Sequence, residues 1–109
     1  MQYAVVFAPE AADQLESLYL YVAEHASPPT AQRYTGAIVS TCEGLSLFPH
    51  RGVARDDIRP GLRITNHKRR TVIAYAVDDM AQQVSIIGVF YGGQDYGTVL
   101  QDESEDSED

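Results

Sequence analysis

The chain has 109 residues, enough for one domain built around one modest core. Eight basic residues against sixteen acidic ones give a formal charge of -8, without the wide basic footprint of a primary DNA binder. The lone Cys42 excludes an internal disulfide and any metal or redox motif built on cysteine pairs, and no stretch approaches the roughly 20 apolar residues of a membrane helix, so a cytoplasmic protein is expected.

Residues 3–7 are short, β-branched and aromatic and read as a strand. Ala8-Pro9-Glu10 then opens a helix, with proline in the first turn where its missing N–H is not needed. Leu15, Leu18, Tyr19 and Val22 recur at the three-and-four spacing of a single apolar face, and Leu20 and Tyr21 lie off that stripe. Ser27-Pro28-Pro29 ends this helix and begins another. There Ala31, Tyr34, Ile38, Cys42 and Leu45 continue a stripe until Pro49 stops it, with Gly36 and Gly44 as weak points. So short a joint predicts an antiparallel helical hairpin.

A connector rich in Pro, Gly, Arg and Asp over residues 49–61 precedes a change to period two. Leu62 and Ile64 alternate with Arg63 and Thr65, residues 66–69 read as a turn, and residues 71–77 and 84–91 form two further strands joined through Asp78-Asp79. The expected class is α+β: an N-terminal strand, an antiparallel helical hairpin and a three-stranded antiparallel meander, in the order β-α-α-β-β-β. One domain covers residues 1–98. In the tail, residues 99–109, the stretch from Gln101 onward holds six acids and no apolar side chain, so it cannot offset its ordering entropy and is expected to be disordered.

The last two strands carry apolar side chains on both faces: Val72, Ala74 and Ala76 against Ile73, Tyr75 and Val77, then Ile86 beside Ile87. Two helices cover only one side of such a sheet. The other side is therefore expected to be bare, apolar and open to a partner. Seven of the eight basic residues fall within residues 51–70, and a local cationic stretch on an acidic protein suits an acidic polypeptide better than nucleic acid.

Arg63, Arg70, Tyr91 and His67 are the residue types that phosphodiester cleavage needs, cations for developing phosphate charge and groups that move protons. No spacing rule joins them into one site, and each has an ordinary use: Arg63 as a partner of Asp56 or Asp57, Tyr91 as a rim aromatic, His67 as a solvated turn residue. His25, His50 and His67 follow no metal-ligand spacing, so no metal is expected. Gly92-Gly93 lacks the wider pattern of a phosphate-cradling loop, and no cofactor is expected.

Five segments, VVFAPEAADQLESLYLYVAE, SPPTAQRY, LFPHRGVARDD, PGLRITNHKRRTVIAYAV and VSIIGVFYGGQDY, together resemble the ParE branch of the RelE/ParE toxin superfamily of bacterial toxin-antitoxin pairs over residues 3–96. The resemblance implies a small antiparallel sheet with a helical hairpin on one side. It implies a toxin that inhibits DNA gyrase without being an enzyme, and a ParD-like antitoxin that wraps it with an acidic C-terminal segment. The RelE-like relatives are instead ribosome-dependent messenger-RNA endonucleases. ParE-like relatives often have His where Tyr91 stands and Arg where Gln94 stands, and this chain departs at both. Losing a fixed cation at Gln94 weakens the nuclease alternative and favours binding over cleavage. It also leaves room for a weakened member that only binds its antitoxin. The residues expected at the partner interface are Leu20, Tyr21, Arg59, Arg63, Arg70 and Tyr91.

Overall fold

The computed structural model describes residues 2–68 and 71–92. Arg70, Gln94 and the acidic tail lie outside them.

Strand β1 (Ala4–Phe7) leads through Ala8 into α1 (Pro9–His25), with Pro9 at the first helical position. Two residues later Ser27 caps α2 (Pro28–Glu43), its hydroxyl accepting from the Thr30 N–H at 3.2 Å. Gly44–Ser46 tightens the end of α2 into a 3-10 turn. The apolar stripes behave as their spacing predicts: Ala11 and Leu18 of α1, and Ala31, Ile38 and Cys42 of α2 with Leu45 beyond it, are buried. Burial pushes the Cys42 thiol up to about 12, with a smaller contribution from Glu43, so it packs as a small apolar group rather than as a reactive thiol.

Four strands follow: β2 (Val53–Ala54), β3 (Leu62–His67), β4 (Thr71–Asp78) and β5 (Gln83–Tyr91). The sheet order is β1-β5-β4-β3-β2. The expected antiparallel meander is β3, β4 and β5; β1 adds in parallel to β5, pairing Ala4 with Gln83 through Phe7 with Ile86. Two features differ from the sequence expectation. The connector contributes the short edge strand β2, paired to Arg63 and Ile64, and β3 runs on through His67, where a turn was expected from residue 66.

One face of the sheet packs under the hairpin, where Ile73, Tyr75, Val84, Ile86 and Val89 meet Ala11, Leu18, Ile38, Cys42 and Leu45. The opposite face corrects the expectation of a bare apolar side. Leu62, Ile64, Ala74 and Phe90 are no more than 7% exposed there, and Ile58 of the connector packs against them. Small residues make this possible. Ala74 faces Gly88 across the β4–β5 ladder, and the Phe90 ring lies so close over Gly88 that a Cβ there would come within 2.6 Å of it. The β4–β5 register shifts after Ala74, leaving Ile87 as the extra residue of a bulge that sets Phe90 back onto this face.

Candidate partner-binding site

Where β1 stops at Phe7, the second half of β5 has no strand on that side among the described residues and borders α1 instead. The gap is an open groove of about 680 Å³ lined by Asp13, Gln14, Ser17, Leu18 and Tyr21 of α1 and by Val89, Tyr91 and Gly92. The α1 residues are those that a helix turns toward a strand beside it, at successive steps of three and four. Gln14 fixes the helix to the strand: its Oε1 accepts from the Val89 N–H at 2.7 Å. That bond satisfies an edge donor two residues past the bulge, so an extended peptide finds the ladder blocked at Val89. The groove is thereby better suited to side chains entering between Tyr21 and Tyr91.

Tyr21 is 53% exposed and stacks on His25 with centroids 4.2 Å apart; His25 Nδ1 in turn bonds the Tyr21 carbonyl. Tyr91 is half-buried and meets Tyr34 edge-on at 5.7 Å. Tyr34 also sits edge-on to His67 at 6.1 Å and shares a hydrogen bond with Thr71 at 3.0 Å. His67 is only 8% exposed, far from the solvated turn residue its position suggests. Thr41 Oγ1 shares a hydrogen bond with His67 Nδ1 at 2.8 Å and lies 3.1 Å from the Ala37 carbonyl oxygen. Its Nε2 is buried with no hydrogen-bond partner among the described residues. Burial, and secondarily the Lys68 charge, hold this histidine below its ordinary value.

Of the six residues expected at the interface, Tyr21 and Tyr91 share the groove. Leu20 is 60% exposed beside Tyr21 but does not line it. Arg59 is half-buried in the connector turn that closes onto Leu62. Arg63 does not stud an open face: it stands opposite Tyr75 on the helix side, and its Nη2 donates to the carbonyls of His50 and Gly52, each at 2.7 Å. Of its two expected partners, Asp57 is taken by Arg55, which holds that carboxyl below its ordinary value, and Asp56 accepts from the Gly61 N–H at 2.8 Å. Arg70 lies outside the described residues. Sequence reasoning missed Asp13, Gln14 and Ser17. Gln14 had a usable signal, a polar residue four before Leu18 and so at the margin of the buried stripe.

Solved structures of toxin-antitoxin systems share this architecture, two of them as follows. The chromosomal ParDE toxin-antitoxin system from P. aeruginosa superposes with a TM-score of 0.71 at 19% identity, covering 83% of this chain and 96% of that one. The RelBE2 toxin-antitoxin complex from Mycobacterium tuberculosis gives 0.63 at 24% identity, covering 86% and 95%. The fold is therefore that of the RelE/ParE-like toxins. Residues 5–96 match the family described as the ParE toxin of type II toxin-antitoxin systems, parDE, and the chain belongs to that family. No curated protein matches it in sequence.

Proposed function

We propose that this protein is a ParE-type toxin that acts by binding DNA gyrase, and that a ParD-like antitoxin neutralises it by laying an apolar, acidic segment into the groove between α1 and β5. Membership of the ParE family supports the toxin class. The observation that carries the binding mode is the groove itself, a preformed cleft with two aromatic walls, Tyr21 and Tyr91, on a stiff helix and strand. Aromatic side chains in such positions are the usual anchors of protein interfaces.

A RelE-like nuclease would need Arg63, His67 and Tyr91 to converge on one open site. Here the Arg63 guanidinium is held by two main-chain carbonyls, His67 is buried against Thr41, and Tyr91 packs on Tyr34. The engagement of Arg63 by main-chain carbonyls and the burial of His67 support binding over bond cleavage. Among the described residues no helix is long and apolar enough to cross a membrane, which accords with a cytoplasmic target.

Purified toxin is expected to inhibit supercoiling by gyrase or trap it on cleaved DNA, with relief on adding the antitoxin. Unaffected gyrase at saturating toxin contradicts the proposal, and messenger RNA cut in a translation extract would establish the nuclease instead. A chain that captures antitoxin and leaves both untouched would be the weakened member.

A further inference from the structure

A cleft of about 350 Å³ opens at the β2 edge of the sheet, lined by Arg51, Val53, Arg55, Ile64, Thr65 and Asn66. Strand β2 begins at Val53, opposite Ile64, so β3 runs on through Thr65 and Asn66 with no ladder partner on that side among the described residues. The backbone forming the outer wall is fixed: Arg63 donates to the Gly52 carbonyl at 2.7 Å, and the Gly52 N–H donates to the buried Tyr75 hydroxyl at 2.9 Å.

The charge of this cleft is one-sided. Two arginines and no acid line it among the described residues. Arg51 is exposed and pairs with no carboxylate among the described residues, whereas Arg55 is partly neutralised by Asp57 beside the cleft. Asp56 accepts from the Gly61 N–H and lines a separate cleft with His50 and Arg63. Asp78 stands six residues along β4 from Val72, the partner of Asn66, which at roughly 3.3 Å per residue is about 20 Å away. Guanidinium groups held at a fixed edge are suited to the carboxylates of an extended chain.

The protein carries such a segment itself. Asp102, Glu103, Glu105, Asp106, Glu108 and Asp109 follow one another with no apolar side chain between them. A segment of that composition cannot fill an apolar groove, and a cationic edge is the kind of site its chemistry fits. It also starts close by. Phe90 pairs with Val72 and Val72 with Asn66, so the end of β5 and the cleft stand on one line across the sheet, two strand spacings or about 10 Å apart. Nine residues, 93–101, lie between Gly92 and the first of these acids, and nine residues extended reach about 30 Å. Tethering at such range supplies an effective concentration on the order of millimolar, enough to fill a site too weak to hold the same segment free in solution.

We infer that residues 102–109 lay their carboxylates across Arg51 and Arg55, an intramolecular cover that closes this cleft to other acidic chains. The inference does not depend on the toxin function proposed above. Amide NMR spectra of the full chain are compared with those of a full-length variant in which Asp102→Asn, Glu103→Gln, Glu105→Gln, Asp106→Asn, Glu108→Gln and Asp109→Asn are combined. At low salt the signals of Arg51, Gly52, Val53, Thr65 and Asn66 are expected to differ between the two chains, and in high salt to coincide, because screening weakens contacts between exposed charges. A labelled peptide with the sequence of residues 101–109 is expected to bind the neutralised chain at least fivefold more tightly than wild type, and Arg51→Ser, at an exposed position, to abolish that binding. Coincident spectra at low salt would overturn the inference, as would differences confined to Tyr21 and Tyr91, which would seat the tail in the groove. Equal peptide binding by both chains would show the cleft standing open to an acidic partner instead. Differences that grow with protein concentration would make the occupant the tail of a second copy, and would equally contradict an intramolecular cover.

Discussion

At the residue scale, Arg63 shows how a cation can be structural on a protein whose charge suggests a binding role. Two charge-assisted bonds from one guanidinium carry the connector, each contributing about 1.5–3 kcal/mol in typical settings. Arg63→Met keeps the stem and removes both, so denaturant unfolding is expected to show a loss of about 2–3 kcal/mol; a change below about 0.5 kcal/mol would show that the loop holds itself. His67 makes a pH prediction. Its folded-state value is lowered by burial and then by Lys68, so the unfolded chain binds the proton more tightly. The stability it contributes is fully present above the unfolded value of 6.5 and is lost as pH falls from there through the lower folded value. The lowered carboxyls of Asp57 and Asp79 titrate below their ordinary 3.8, outside that window. Stability measured from pH 7.5 downward is expected to decline just below neutrality, and His67→Gln to flatten that decline; parallel curves for the two proteins would refute the assignment.

At the scale of elements, the hairpin was legible because its apolar residues recur at helical spacing and its two prolines mark the joint. The three meander strands were legible as short, β-branched and aromatic runs. What could not be read was pairing. Nothing in residues 3–7 distinguishes a parallel partner from an antiparallel one, and the bulge at Ile87 is a register shift that leaves no compositional mark. That shift decides the fate of the second face, since it sets Phe90 over Gly88 and beside Leu62, Ile64 and Ala74. Counting apolar residues on two faces foretold a large patch, whereas small residues at Ala74 and Gly88 let the chain cover much of it with its own ring. Phe90→Ala is expected to cost about 3–5 kcal/mol, the range for a buried aromatic, by equilibrium unfolding. A solvent-facing Phe90 would lose less than about 1 kcal/mol.

At the scale of the whole molecule, the proposed antitoxin groove falls where β1 stops and α1 borders β5. Of the candidate interface residues, the exposure of Tyr21 was legible because it lies off the α1 stripe, and the place of Tyr91 because it ends the last strand. Arg63 was misplaced because a strand residue's face follows from register, which spacing alone does not fix. The groove itself was not legible, since it depends on β1 ending one turn before α1 comes alongside β5. The most direct measurement is the affinity of the folded toxin for its antitoxin by isothermal titration, wild type against Tyr21→Ala. Removal of an anchoring aromatic is expected to weaken binding by about 2 kcal/mol, roughly thirtyfold, with the melting temperature unchanged. An unaltered affinity in a folded Tyr21→Ala protein would mean that the antitoxin binds elsewhere and that the groove is not its seat.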